Sequence, residues 1–184
     1  MIVLASGSLR RAQILRDHGV SFQVVQTDAP EVLYPGDPVR TVRENALLKG
    51  RAAEKAGFSS VLSADTVVAY NGTIYGKPAT EAEAFRYLMA LSGQTHQVWS
   101  GVAFQGDVVA VRADVTFKTL TRDLIERYIK AVHPLDRAGA YDIDEKGDWL
   151  IAGYTGSYEN IMGLPLEPLV NWGIISLGTQ GAHA

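Results

Sequence analysis

No cysteine occurs among the 184 residues, which removes disulfides, thiolate metal sites and cysteine nucleophiles and fits a reducing compartment. An excess of one charge is lacking as well. Charged residues make up 20% of the chain and the formal net charge is -3. Neither a disordered acidic tail nor a broad nucleic-acid-binding surface is therefore expected, and any anion site must come from arginines and lysines gathered locally. No window is apolar enough to cross a bilayer, and the opening MIVLASGS has no basic flank and is too short for a signal peptide. Internal repeats, low-complexity tracts and linker-like shifts of composition are missing too. What is present is 47% hydrophobic residues, enough to bury a core in a chain of this length. The expectation is a soluble, cytoplasmic protein with no membrane or nucleic-acid partner, folded as a single domain over residues 1–184.

Hydrophobic periodicity sets the coarse order of elements. Met1 to Ala5 read as a buried strand, Leu9 to about His18 as a helix closed by Gly19, and Phe22 to Gln26 as a second strand. TDAPEVLYPGDP, rich in proline and aspartate, reads as an exposed loop. Val39 to Ala56 is helical, with Val42, Ala46 and Ala53 inward and Gly57 as the stop. VLSADTVVAY is strand-like, and Asn71-Gly72 before TIY signals a hairpin, because both central residues of a type I′ turn need positive φ. Thr80 with Glu83 makes a capping-box signature for a helix ending near Leu91. HQVWSGVAFQ and VVAVRADVTF alternate around Gly106-Asp107 as a second hairpin, and Thr121 to Val132 is a helix broken by His133-Pro134. A glycine-rich AGAYDIDEKG, a short strand from Asp148 to Ala152, a polar loop and a final helix entered through Pro165 or Pro168 complete the chain. One parallel-type start, two hairpins and several helices predict an α/β protein with a mixed sheet.

Several short segments carry chemistry. In LASGSLRRAQIL a strand becomes a helix across Ser6, Gly7 and Ser8, with Arg10 and Arg11 at once behind. A helix start has unpartnered N–H groups and a partial positive charge; Gly7 allows close approach, the serines offer hydroxyls, and the guanidinium forks match phosphate oxygens. The segment is neither a Walker loop nor a dinucleotide fingerprint, and by itself it is equally consistent with a capping Ser8 and solvated arginines. Asp65 lies in the middle of an apolar strand, where a carboxylate is costly to bury unless it meets a cation or hydrogen-bond donors. Asn45 and Lys49 are four apart and share a helical face. Lys77 sits between Gly76 and Pro78, on a stiffened backbone.

Taken in order, SGSLRR, RENALLK, SADTVV, GKP, SGQTHQV, DRAGAY and NIMGLP resemble the Maf-like nucleotide pyrophosphatases, from Leu4 to about Pro165. The resemblance implies a mixed, strongly bent central sheet with flanking helices forming two lobes around a cleft, in which a nucleoside triphosphate is cut between its α and β phosphates. It also implies a divalent cation, Mg2+ or Mn2+. Carried onto this chain, the family's active site maps to Ser6, Ser8, Arg10, Arg11, Lys49, Asp65 and Lys77. Cleaving a phosphoanhydride requires shielding negative charge, coordinating a divalent ion with hard oxygen ligands and orienting a water. Asp65 is accordingly assigned as metal ligand or general base, Glu31 as the second metal carboxylate, and Arg10, Lys49 and Lys77 as charge stabilisers.

Within the family, the branch acting on dTTP and UTP carries the second arginine, a threonine after the strand aspartate, and a glutamine in a segment like AGAYGIQG. Arg11 and Thr66 match, but this chain reads AGAYDIDEKG, placing Asp144 at the glutamine and Asp142 at a glycine. A carboxylate only accepts hydrogen bonds, so the pattern offered to a base changes. The favoured substrates are dTTP and UTP, with an m7GTP-type preference as the alternative and a nucleotide-binding regulator of septum formation as the non-catalytic one. His96 is assigned a structural role, such as holding a backbone carbonyl. Trp99, Phe104 and Phe117 alternate on strands and are assigned to the core rather than to a base-stacking platform. The apolar PLEPLVNWGIISL is expected to close the core or contribute to a homodimer contact.

Overall fold

The computed structural model describes residues 1–176. The sheet begins with β1 (Ile2–Ala5), which pairs in parallel with β2 (Phe22–Val25) on one side and with the first part of β3 (Val61–Tyr70) on the other. Parallel neighbours need crossover connections, and α1 (Leu9–Asp17) and α2 (Pro38–Lys55) supply them. From β3 onward the pairings are antiparallel. β4 (Thr73–Tyr75) returns along the end of β3 through Asn71 and Gly72, whose φ values are 48° and 76°. β5 (Thr95–Phe104), β6 (Asp107–Phe117) and β7 (Ile151–Thr155) extend the sheet in the order β2-β1-β3-β5-β6-β7, with α3 (Glu81–Leu91) before β5 and α4 (Arg122–Val132) after β6.

The helices start where the chain offers a cap. Ser8, Asp37, Thr80 and Thr121 each accept a hydrogen bond from the backbone N–H three residues on, a contribution of about 0.5–2 kcal/mol apiece. Asp37 lets α2 begin at Pro38, one residue before the periodic pattern shows itself.

Two cores share the long strands β3 and β5. Leu62, Ala64, Val102 and Phe104 pack with α1 and with Leu164, Leu169 and Ile175 near the end of the described chain. Val68 and Val98 pack instead with Leu88, Leu91, Ile125 and Tyr128 of α3 and α4. On the opposite face of the sheet α2 lies over β3 and β5, and the reason is Gly101: a Cβ there would collide with the backbone carbonyl of Val42. This close approach brings the inward face of α2, Val42, Asn45, Ala46 and Lys49, onto the middle of β3.

The carboxyl-terminal third departs from its sequence pattern. The strand expected at Asp148–Ala152 runs over Ile151–Thr155 instead, because Gly147–Trp149 form a 3-10 turn and the Lys118 N–H takes the Leu150 carbonyl at 2.8 Å before β6 pairs with β7. The polar loop after it contains a short helix, α5 (Tyr158–Met162), capped by Ser157 and stopped by Gly163 at φ 108°. The last helix, α6 (Leu166–Asn171), is entered through Pro165, and its apolar side fills the first core; Leu177 lies outside the described residues. The second hairpin turns at Gln105-Gly106, both at positive φ, rather than at Gly106-Asp107. Among the described residues no helix is long and apolar enough to cross a membrane.

Candidate active site

A gap in one strand edge creates the site. β1 pairs with β3 only as far as Ala5 opposite Ser63, and β4 joins the same edge only from Val68. Between these points the edge of β3 is open, at the carboxyl end of the parallel strands where α/β sheets bind ligands. Asp65 and Thr66 lie in the gap. As neighbours on a strand they point to opposite faces, Asp65 toward α2 and Thr66 toward α1 and α5. The resulting cavity, about 490 Å³, is lined by Ser6, Ser8, Arg10, Arg11, Glu31, Lys49, Asp65, Thr66 and Lys77. The cavity therefore gathers every residue to which the sequence assigned a catalytic, metal or substrate role except Asp144; Asn45 lies behind it, against Asp65.

On the α2 face, Lys49 donates to Asp65 Oδ1 at 2.7 Å and to Glu31 Oε1 at 2.9 Å, so one ammonium bridges both carboxylates. The Asn45 amide donates to Asp65 Oδ2 at 3.1 Å. Burial pushes the Glu31 carboxyl up, but its hydrogen bond to Lys49 and the charges of Lys49, Lys77 and Arg11 outweigh this and leave it below the usual carboxylate range. Lys77 lies at the exposed rim, and among the described residues it makes no ion pair.

On the other face Arg11 turns inward, away from its neighbour. Its guanidinium donates to the Gly163 carbonyl at 2.8 Å, to Ser6 Oγ at 3.0 Å and to Thr66 Oγ1 at 3.1 Å. The Thr66 hydroxyl hydrogen-bonds to Ser100 Oγ at 2.8 Å, and Ser100 donates to the Asn160 carbonyl. Gly163, at φ 108°, lets the α5 stop present its carbonyl to both Arg11 and Thr66. Burial lowers Arg11 to about 10 against the opposing pull of Asp65, which still leaves it cationic at neutral pH. Ser8, half-exposed, caps α1 by accepting from the Arg11 N–H, so the capping and ligand-facing readings of that serine coexist.

The far wall holds side chains to which the sequence reading gave no site role. Asp142, buried, accepts from Arg137 Nε at 2.8 Å and stands 3.6 Å from Arg10, while its other oxygen takes the Asp144 N–H at 2.8 Å. Burial lowers the Arg10 pKa, an effect offset only in part by Asp142. Arg137 also engages Asp136 and Glu145. Asp142, Asp136 and Arg137 all line the cavity; the DRAGAY motif was the available signal. Asp144 is exposed, outside the lining, and accepts from the Tyr158 hydroxyl at 2.8 Å.

His96 is buried, and its partner is the Tyr141 hydroxyl at 2.8 Å rather than a backbone carbonyl. Burial depresses its pKa to about 4, against a smaller raising effect of Asp114. Phe104 and Phe117 are core residues, whereas Trp99 is half-buried with its indole N–H on Gln97; it sits on the sheet face under α2 and does not line the cavity.

A mixed sheet opened at one edge, with opposed carboxylates and a ring of guanidinium and ammonium groups around the opening, defines an α/β protein with a cleft for a polyanion. The chain belongs to the Maf-like protein family, whose model matches residues 1–172. Among its relatives, a dTTP/UTP pyrophosphatase of Bacillus cereus is 42% identical over 175 residues, covering 92% of this chain and 86% of that one. A dTTP/UTP pyrophosphatase of Desulfitobacterium hafniense is 41% identical, covering 100% of this chain and 90% of that one. One from Bacillus anthracis is 40% identical, covering 92% of each.

Proposed function

We propose that this protein is a nucleoside triphosphate pyrophosphatase that hydrolyses the α–β phosphoanhydride of dTTP and UTP, releasing the nucleoside monophosphate and pyrophosphate. The observation that carries the reading is the convergence of Asp65 and Glu31 on Lys49 inside the cavity that Arg10, Arg11 and Lys77 also line. The relatives' activity supports it.

In this reading Ser6 and Ser8 donate to phosphate oxygens at the start of α1, and Arg10, Lys49 and Lys77 offset the charge of the triphosphate. Arg11 and Thr66, locked to each other and to Gly163, form a rigid wall for the nucleoside. Water adds to the α-phosphorus as the bridging oxygen leaves with pyrophosphate. The proton of that water passes to Asp65 where Asp65 is the base, or to solvent where it is a metal ligand.

Glu31 and Asp65 would hold a divalent cation. The donors are hard oxygens, and Lys49 Nζ already occupies a cationic position between them. Among the described residues no group of three or more histidine, aspartate or glutamate side chains converges; the remaining coordination would come from phosphate oxygens and water, as is usual for magnesium. Mg2+ or Mn2+ bound there would neutralise phosphate charge and acidify the attacking water.

The pyrimidine reading is preferred to the m7GTP-type one on geometry. The acidic residues that the sequence places in the base-reading segment offer guanine N1 and N2 no open acceptor: Asp144 lies outside the cavity, and Asp142 is already engaged by Arg137, Arg10 and the Asp144 N–H. Pyrophosphate release from a panel of dTTP, UTP and m7GTP with magnesium or manganese tests both substrate and cofactor. Asp65→Asn is expected to lower kcat by about a hundredfold or more. Equal turnover by the variant would leave a nucleotide-binding regulator as the better account.

A further inference from the structure

We infer that Asn45 is a positioning residue that holds the two carboxylates of the site in register with each other. Its side chain is buried, at 3% exposure, and makes three hydrogen bonds to two separate segments. The amide oxygen accepts from the Val32 N–H at 2.8 Å, and the amide nitrogen donates to the Val32 carbonyl at 3.0 Å and to Asp65 Oδ2 at 3.1 Å. Val32 follows Glu31. One side chain therefore clips the backbone next to one carboxylate and grips the oxygen of the other.

The clip matters because of where Glu31 sits. The segment between β2 and α2, residues 26–37, has no regular secondary structure, so no helix or strand ladder fixes the Glu31 backbone. Besides Asn45, the segment is held by the ion pair of Lys49 with the Glu31 side chain at 2.9 Å, by Thr41, which accepts from the Tyr34 N–H at 3.0 Å, by Arg40 stacked on the Tyr34 ring, and by the exposed turn closed by Asp37. Of these, only Asn45 binds the backbone next to Glu31. Asp65, by contrast, is fixed by its strand. An amide is the side chain that both accepts and donates at this spot: a carboxylate would lose the bonds to the Val32 carbonyl and Asp65, and an aliphatic residue would lose all three. Asn45 does not line the cavity; it acts through Glu31 and Asp65, setting the separation at which they meet a shared cation. Removing groups that orient metal-binding carboxylates typically costs 10–100-fold in metal affinity or activity.

The inference rests on the pyrophosphatase reading, and the two fail differently. A parent enzyme without nucleotide hydrolysis sinks the reading, whereas an active parent with an indifferent Asn45 variant sinks only the positioning role. The experiment compares the parent with Asn45→Ala in a dTTP assay under magnesium titration, with amide hydrogen exchange read at Val32. The expected result is faster exchange at Val32, a magnesium requirement raised about 10–100-fold, and a nucleotide KM at saturating magnesium within about twofold of the parent. In a cycle with Glu31→Gln the loss caused by Asn45→Ala should shrink, because the carboxylate it positions is gone. Thr41→Val, which loosens the same segment at Tyr34 without touching Asp65, should leave the magnesium requirement unchanged. Faster exchange with an unaltered magnesium requirement, or losses that simply add in the cycle, would overturn the inference. If Asn45→Ala does not fold, Asn45→Ser replaces it in the same measurements with the same outcomes deciding.

Discussion

Adjacent arginines at positions 10 and 11 illustrate how far a residue's role depends on its surroundings. They share a charge and a helix, yet Arg10 stands in the cavity beside Asp142 while Arg11 is spent inward on Ser6, Thr66 and the Gly163 carbonyl. Lysine at position 11 would keep the charge but not the fork. Arg11→Lys is expected to lower stability by about 1–3 kcal/mol, the usual cost of leaving buried partners unsatisfied, and to raise the nucleotide KM; thermal unfolding and steady-state kinetics check both. His96 supplies a pH dependence. Its folded pKa lies near 4, below the ordinary value of about 6.5, so below that value the unfolded chain binds a proton that the folded one refuses. Stability must then rise with pH between about 4 and about 6.5 and level off above, a contribution of roughly 3 kcal/mol. A His96→Gln variant should show a shallower rise of Tm over the same interval, and an unchanged slope would refute the assignment.

Among the elements, the position of α2 is decided by Gly101, and α5 ends where Gly163 turns to positive φ. Gly101→Ala is expected to force α2 off the sheet, costing about 1–3 kcal/mol or more by overpacking and separating Lys49 and Asn45 from Asp65. Tm and kcat should therefore fall together. Gly153→Ala, where an added Cβ meets nothing within 4 Å, should leave both unchanged. The helix α2 and its inward face were legible from periodicity, and Asp65 stood out because a carboxylate interrupts an apolar strand. What Gly101 does was not legible, since close approach of two elements leaves no periodic mark. α5 escaped because five residues are too few to display a helical rhythm. Arg137, and the pairing of Asp142 with it, escaped for a different reason: they lie in an irregular, glycine-rich segment, and their meeting with Arg10 depends on chain folding rather than spacing. The base-contact role expected of Asp144 relied on alignment within that segment, where its backbone path carries the side chain out to Tyr158.

Taken whole, the molecule is weakly acidic, with a net charge of -3, yet it concentrates cations at one opening between two cores. Both cores share β3 and β5, so a ligand that spans the opening stabilises them jointly. A non-hydrolysable dTTP analogue with magnesium, at about a hundred times its Kd, should add about 2.7 kcal/mol, raising Tm by roughly 5–10 °C for a chain of this size. Calorimetry with and without the analogue checks this, and an unshifted Tm would mean that the nucleotide does not seat in the cleft.

The alternation of Asp65 and Thr66 on one strand makes the site sensitive to a slip of β3 against its partners. The pairing from Leu62 opposite Phe104 to Ala69 opposite Gln97 decides which residue looks toward α2 and which toward Arg11. Inserting or deleting one amino acid between Val61 and Asp65 would turn the strand over like a reversed ratchet, handing the acid to the nucleoside side and the hydroxyl to the lysine. The chain would keep every functional group it has now and lose the chemistry, because parity along that strand is itself part of the catalyst.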